Sequence, residues 1–329
     1  MIMFVKGRAG QWNAWLGVLL LAALLLQGCG GAKAVRYGEH PRQVADLYLP
    51  KGILAPVPAV VYFHGGGFRA GDKALDDLTR QLKTDFTSRG IAFISANYRY
   101  ATDGLTLRDS MQDGLALVTY LQQHADSLTL DAQRIALMGG SAGGGIAQFV
   151  ALQANGLDES LPGVRSVALL NAQSSYNPQH WNLIGGQLCS DPDFDAFTGP
   201  LGDTLNDLSA GLLHRDVEAG VALLDAVSGV TLIDAQDPPV AFFYWTTELR
   251  PYSLTEISNG LPGYDHVIHH PMLGEAFQLI AQDRGHVTEV HLVNDYAGLP
   301  RTAPLTATPE AFGLMYQDLL RFTLESLLN

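Results

Sequence analysis

Short apolar runs rich in β-branched and aromatic residues alternate along this chain with longer segments whose apolar positions recur every three or four residues. The short runs are Ala45–Leu49, Pro58–Phe63, Ile91–Asn97, Arg134–Met138, Ser166–Asn171, Val240–Trp245 and Glu289–Val293. Several are apolar at nearly every position, the pattern of strands buried on both faces. Between them, Leu107, Met111, Leu115 and Val118 keep helical spacing, and Lys73–Ser88 predicts a helix that stops before Gly90. Pro271 opens a helix toward Asp283, and Leu314–Leu328 predicts a closing one. This alternation predicts an α/β fold, a mostly parallel central sheet with helices on both faces. Residues 174–234 break the rhythm, with no clear strand pattern over a length that is unusual for a plain connection. They hold Tyr176, Trp181, Phe194 and Phe197, and read either as a lid-like insertion over a pocket or as a surface excursion.

The first residues follow another logic. Lys6 and Arg8 precede an apolar run from Ala14 to Leu26, with no acidic residue before Glu39. The run is short for a bilayer span and reads as the apolar region of a signal peptide. It ends in Leu26-Gln27-Gly28-Cys29, which resembles a bacterial lipobox, with cleavage before Cys29 and a lipid on its sulfur. The competing reading is an uncleaved anchor helix. Either way the body is exported and stays at a membrane. Gly30 after Cys29 resembles the outer-membrane sorting pattern. With residues 1–28 a signal peptide, residues 29–329 form the folded domain; no repeat or Pro-rich linker divides the chain after Gly31.

Composition adds exclusions. Hydrophobic residues are 47% and charged residues 16%, enough for a large core and too little charge for disorder. The net charge is −13, and loss of Lys6 and Arg8 takes it to −15. No Lys/Arg cluster appears, so a nucleic-acid partner is not expected. Cys29 and Cys189 are the two cysteines, and a lipid on Cys29 leaves no internal disulfide.

Chemistry concentrates in two glycine-rich segments. Arg134–Met138 leads into Gly139-Gly140-Ser141-Ala142-Gly143, and a helical run follows. Gly-x-Ser-x-Gly between a strand and a helix is the context of a nucleophile elbow, with Ser141 Oγ raised above the sheet at a helix N-terminus. Upstream, His64-Gly65-Gly66-Gly67-Phe68 directly follows a strand, and its glycines let backbone N–H groups turn into a pocket. Acyl transfer needs such donors where a carbonyl oxygen becomes negative, and the N–H of Ala142 would be their partner.

These segments, with Gly71-Asp72-Lys73, Asn97-Tyr98-Arg99-Tyr100, Asp113 and the entry Tyr37-Gly38 to Ala45–Pro50, resemble the hormone-sensitive-lipase-like and acetyl-xylan/feruloyl-esterase-like branch of the α/β-hydrolases. The likeness is close over Tyr37–Ala151 and loose beyond. It implies an α/β-hydrolase fold and a serine hydrolase of carboxylic esters that needs no cofactor. Its substrates would be small acyl groups on saccharides, aryl alcohols or peptidoglycan-like polymers. It implies an oxyanion hole of Gly66, Gly67 and Ala142, with His64 a scaffold residue. Gly140 departs from a frequent Asp. Pro238–Glu248 resembles the segment that ends in the acid of the triad, which puts that acid at Glu248. The base should follow the last strand, but Leu299 stands at that position and no His follows His291. Substitutes cluster at His266, His269 and His270, of which His270 is nearest the helix start at Pro271 and is taken as the base. His286 falls at the wrong end of the sheet and His291 inside a strand. A metal site at Asp265, His266, His269 and His270 matches no firm ligand spacing. The absence of a His at 299 keeps an alternative open: a pseudo-hydrolase lipoprotein that binds a ligand or partner.

Overall fold

The computed structural model describes residues 31–102, 104–153, 161, 163–177, 180, 221–245, 253, 255–256, 268–303 and 307–329. Eight strands join in one sheet: β1 (Lys33–Arg36), β2 (Val44–Tyr48), β3 (Val57–Phe63), β4 (Ala92–Ala96), β5 (Leu130–Gly140), β6 (Val164–Leu170), β7 (Val240–Tyr244) and β8 (Thr288–Leu292). Their order is β1-β2-β4-β3-β5-β6-β7-β8. β2 is antiparallel to both β1 and β4, and every other pair is parallel. All seven side chains of β3 are buried. Ala59, Val61 and Phe63 enter one apolar cluster, while Val60 and Tyr62 enter the other, the period-two alternation of a strand covered on both faces.

The helices that cover the sheet are α1 (Asp77–Ser88), α2 (Leu107–Gln123), α3 (Ala142–Gln153), α4 (Met272–Asp283), the short α5 (Val293–Tyr296) and α6 (Pro309–Leu328). Leu117 and Leu121 of α2, Ile146 and Val150 of α3 and Phe277 of α4 pack on one face. Leu82 and Phe86 of α1 and Met315 and Leu319 of α6 pack on the other. The architecture is the α/β arrangement that the alternation predicts, and each expected strand forms within a few residues of its expected bounds.

Three departures have local causes. β1 escapes pattern reading because it is a four-residue edge strand with only Val35 buried, and Lys33 and Arg36 keep it polar. α1 starts at Asp77 rather than Lys73: the Asp76 carboxylate accepts from Thr79 N at 2.8 Å and caps the helix there. Lys73 N instead donates to Asn97 Oδ1 at 2.6 Å. α6 starts at Pro309, earlier than Leu314, because the Thr308 hydroxyl accepts from Ala311 N at 3.1 Å with Pro at the first helical position. Of residues 174–234, only 174–177, 180 and 221–234 are described, so the lid-like reading falls mostly outside the described residues, as do residues 1–28, Cys29 and Cys189.

Candidate active site

β3, β5, β6 and β7 end along one edge, and the candidate residues gather there. β5 runs into Ser141, and α3 leaves from Ala142. Ser141 has φ 50°, a left-handed value uncommon for a residue with a side chain. Its N–H still continues the sheet, donating to Leu170 O at 2.9 Å, while its carbonyl accepts from Gly144 N at 2.8 Å to start the helix. One residue therefore ends the strand and begins the helix, and the strained turn is the nucleophile-elbow geometry. Neighbouring backbone leaves no room for larger residues. A Cβ on Gly143 would lie 2.1 Å from Phe63 O, and one on Gly139 would lie 2.2 Å from Gly143 O.

The loop after β3 passes beside this elbow, since a Cβ on Gly65 would sit 3.3 Å from Ser141 Cβ. Its direction is set by His64. Arg42 Nη2 lies 3.2 Å from His64 Nε2. A guanidinium can only donate, so Nε2 accepts and the imidazole proton sits on Nδ1. Nδ1 then donates to Gly65 O at 2.7 Å. In a trans peptide the N–H of Gly66 must point the opposite way, away from the imidazole. Burial and the nearby Arg42 charge depress the His64 pKa, which preserves the neutral form that this pattern requires. Gly66 has φ 115°, and its carbonyl accepts from Arg69 N and Ala70 N, both at 3.0 Å. The N–H groups of Gly66 and Gly67 donate to no other described residue. The N–H of Ala142 opens α3, where first-turn donors lack partners within the helix.

The other residues of the resemblance form the frame around this loop. The Tyr98 hydroxyl donates to His64 O at 2.8 Å, and its ring stacks on the imidazole at 4.5 Å. Arg42 Nε donates to Tyr98 O at 2.8 Å, with the guanidinium 3.8 Å over the Tyr100 ring. Asn97 Nδ2 donates to Asp72 at 2.8 Å. Asp113 is buried and accepts from Arg99 N at 2.7 Å, Arg99 Nη2 at 2.8 Å and Gln43 Nε2 at 2.8 Å.

An imidazole completes the arrangement. His269 Nε2 lies 2.9 Å from Ser141 Oγ. His269 lies in the chain between β7 and α4, three residues before α4, and not after β8.

Residues 45–247 match the BD-FAE family, a feruloyl-esterase-like family of α/β-hydrolases. The chain belongs to this family. A probable isoprenylcysteine alpha-carbonyl methylesterase of Arabidopsis thaliana is 34% identical over 115 residues, covering 35% of this chain and 23% of that protein. Lipase 2 of a Moraxella species is 38% identical over 95 residues, 29% of this chain and 21% of the lipase. The chain thus spans less than a quarter of either relative's length in these matches. Among solved structures, a propionate-bound esterase of Thermogutta terrifontis aligns with TM-score 0.56 at 22% identity, over 90% of this chain and 93% of that one. Esterase B of Lactobacillus rhamnosis aligns with TM-score 0.59 at 19% identity, over 94% of each chain. These two likenesses establish the fold.

The BD-FAE match stops at residue 247, short of Glu248 and of His269. Glu248 and His266 lie outside the described residues. His270, expected as the base, is buried and turned away: its Nδ1 accepts from Met272 N at 3.2 Å and its carbonyl from Leu273 N at 3.0 Å. Successive residues of a turn present their side chains in different directions, so packing His270 beneath α4 leaves His269 facing Ser141. His286 bonds Pro238 O and the Thr288 hydroxyl at the opposite end of the sheet. His291 stacks on Phe243 at 4.6 Å and bonds Glu289 and the Tyr296 hydroxyl. Leu299 follows α5, its N–H donating to Asn294 O at 3.0 Å.

Proposed function

We propose that this BD-FAE protein hydrolyses carboxylic esters through an acyl-enzyme on Ser141. The observation that carries the reading is His269 Nε2 at 2.9 Å from Ser141 Oγ, at an elbow flanked by the glycine loop. As Oγ attacks the acyl carbon, His269 takes its proton. The carbonyl oxygen becomes negative, and the N–H groups of Gly66, Gly67 and Ala142 receive it. His269 then returns the proton to the departing alcohol. In the second half it takes a proton from water, whose oxygen attacks the acyl carbon, and returns that proton to Ser141 Oγ as the acyl–Oγ bond breaks and the acid leaves. We assign the orienting acid to Glu248, just beyond β7, where the family resemblance puts it. Nucleophile, base and donors all come from the chain, so the chemistry calls on no cofactor. The esterase, methylesterase and lipase names among its relatives support an ester substrate, and small acyl groups on saccharides or aryl alcohols are the class we favour. Leu299 favours a binding-only protein, whereas the imidazole of His269, carried on another segment, favours the hydrolase. The test uses a fluorophosphonate probe together with p-nitrophenyl acetate and butyrate. Labelling of the Ser141 peptide, ester turnover, and loss of both in Ser141→Ala are expected. A folded wild-type protein that neither labels nor turns over either ester would return the chain to the binding-only alternative.

We also propose, from the lipobox-like Leu26-Gln27-Gly28-Cys29, that a lipid on Cys29 holds the protein at a membrane. β1 runs in the same direction as β4, so the chain enters the sheet from the edge opposite Ser141, where Lys33 Nζ reaches Ser127 O just before β5. A tether there would leave the site facing away from the bilayer. Cys29→Ser should block lipidation, so that the protein accumulates as the larger precursor or is released in soluble form. Processing and membrane retention unchanged from wild type would remove the lipid from the proposal.

A further inference from the structure

A base carried on a turn outside the last strand needs some other support. In this chain the support comes from the segment after β6. Gln173 Nε2 donates to Ile268 O at 2.7 Å, immediately before His269, and Ser174 Oγ donates to Leu273 O at 2.6 Å, just after it. Gln173 is 6% exposed and Ser174 1%, so water offers neither bond a ready substitute. Gln173 is held in its turn: its carbonyl accepts from Gln148 Nε2 at 2.6 Å. Gln148 lies on α3, the helix that starts beside Ser141. The preceding carbonyl, Ala172 O, accepts from the buried Tyr244 hydroxyl at the end of β7, at 2.8 Å. The contacts therefore close a ring: Ser141 to α3, Gln148, Gln173, Ile268, His269 and back to Ser141 Oγ. Nucleophile and base are fixed against each other through two amide side chains in series, Gln148 and Gln173.

We propose that Gln173 is the positioning residue that sets His269 at hydrogen-bond distance from Ser141, with Ser174 as the second clamp. This rests on the reading of His269 as the base. Gln173 does not touch the substrate; it acts through the place of the imidazole, where a displacement of about 1 Å can cost on the order of a hundredfold in rate.

Gln173→Met keeps the length of the side chain and removes the donor. Its labelling rate with the fluorophosphonate and its kcat for p-nitrophenyl acetate should fall about 10- to 100-fold, with KM within about twofold of wild type. The decisive comparison is with the same substitution made on His269→Ala. A residue that works only through His269 has nothing left to position there, so the small residual rate should change by less than about twofold. A merely structural role would lower both backgrounds alike. Ser174→Ala, which deletes a single oxygen, should show the same dependence on His269 with a smaller loss, and it serves where Gln173→Met does not fold at the assay temperature. If wild-type rates persist in both clamp variants, or the losses are equal with and without His269, Gln173 is not a positioning residue while the base assignment stands. If His269→Ala itself labels at the wild-type rate, the base assignment fails and this inference fails with it.

Discussion

Replacing His269 by Ala is expected to slow fluorophosphonate labelling of Ser141 and ester turnover by about 10³- to 10⁴-fold, whereas His270→Ala leaves labelling in place. The two residues are adjacent, but their surroundings are opposite. His269 Nε2 lies 2.9 Å from Oγ, so its loss removes the acceptor for the serine proton. His270 is buried and accepts from Met272 N, so its loss opens a cavity and orphans a backbone donor. That change should cost roughly 1–3 kcal/mol and appear as a lower unfolding temperature. The pH dependence follows from the same geometry. A protonated imidazole cannot accept the serine proton, so the rate should fall as the solution is acidified. His269→Ala should lose that slope, and His270→Ala should keep it. Labelling abolished by His270→Ala in a folded protein, with His269→Ala unaffected, would reverse the assignment.

The contrast between these neighbours shows what a sequence can carry. The elbow and the glycine loop were legible because each is a local solution: strand, sharp turn and helix within a few residues, with crowding that only small residues survive. A Cβ on Gly139 would meet the backbone of Gly143, and one on Gly143 would meet the backbone of Phe63 and His64, so the constraint is written in the motif itself. The buried strands were legible for a similar reason, since burial on both faces demands apolar residues in succession. β1 was not, because an edge strand with one buried side chain leaves almost no pattern.

The base is different in kind. Its position depends on which of two consecutive histidines packs under α4, and on clamps from Gln173 and Ser174, about a hundred residues away along the chain. No local spacing encodes that choice. Pro271 marks the start of α4, but a helix start does not say which of the two histidines before it packs against the helix. Arg42 was equally hidden. It lies outside the glycine motif, yet by donating to His64 Nε2 it fixes the tautomer that aims the Gly66 N–H.

Gly66→Val should lower turnover by about 10²- to 10³-fold, the loss that follows removal of one oxyanion donor, and do so in a protein that remains folded. Two constraints converge on this residue. Its φ of 115° is a conformation that residues with a Cβ rarely adopt, and a Cβ built there would lie 2.2 Å from Ala70 O. That oxygen belongs to the backbone, so a rotamer change cannot relieve the clash. The turn from Gly66 to Ala70 must open, breaking the bonds from Arg69 N and Ala70 N to Gly66 O and rotating the Gly66 peptide away from its aim. Gly52 provides the control. It too has positive φ, 73°, but a Cβ there meets nothing within 4 Å. Gly52→Ala should therefore cost only about 1 kcal/mol of backbone strain and leave turnover unchanged. The readout that separates donor loss from a shifted nucleophile is the KM-against-kcat split. Donors aimed at a developing oxyanion act in the transition state, so kcat and kcat/KM should fall together with KM little changed. A Gly66→Val protein with wild-type kcat would show that the loop after β3 does not serve the reaction, and the oxyanion would then have to be received elsewhere, with Ala142 N–H at the head of α3 the remaining candidate.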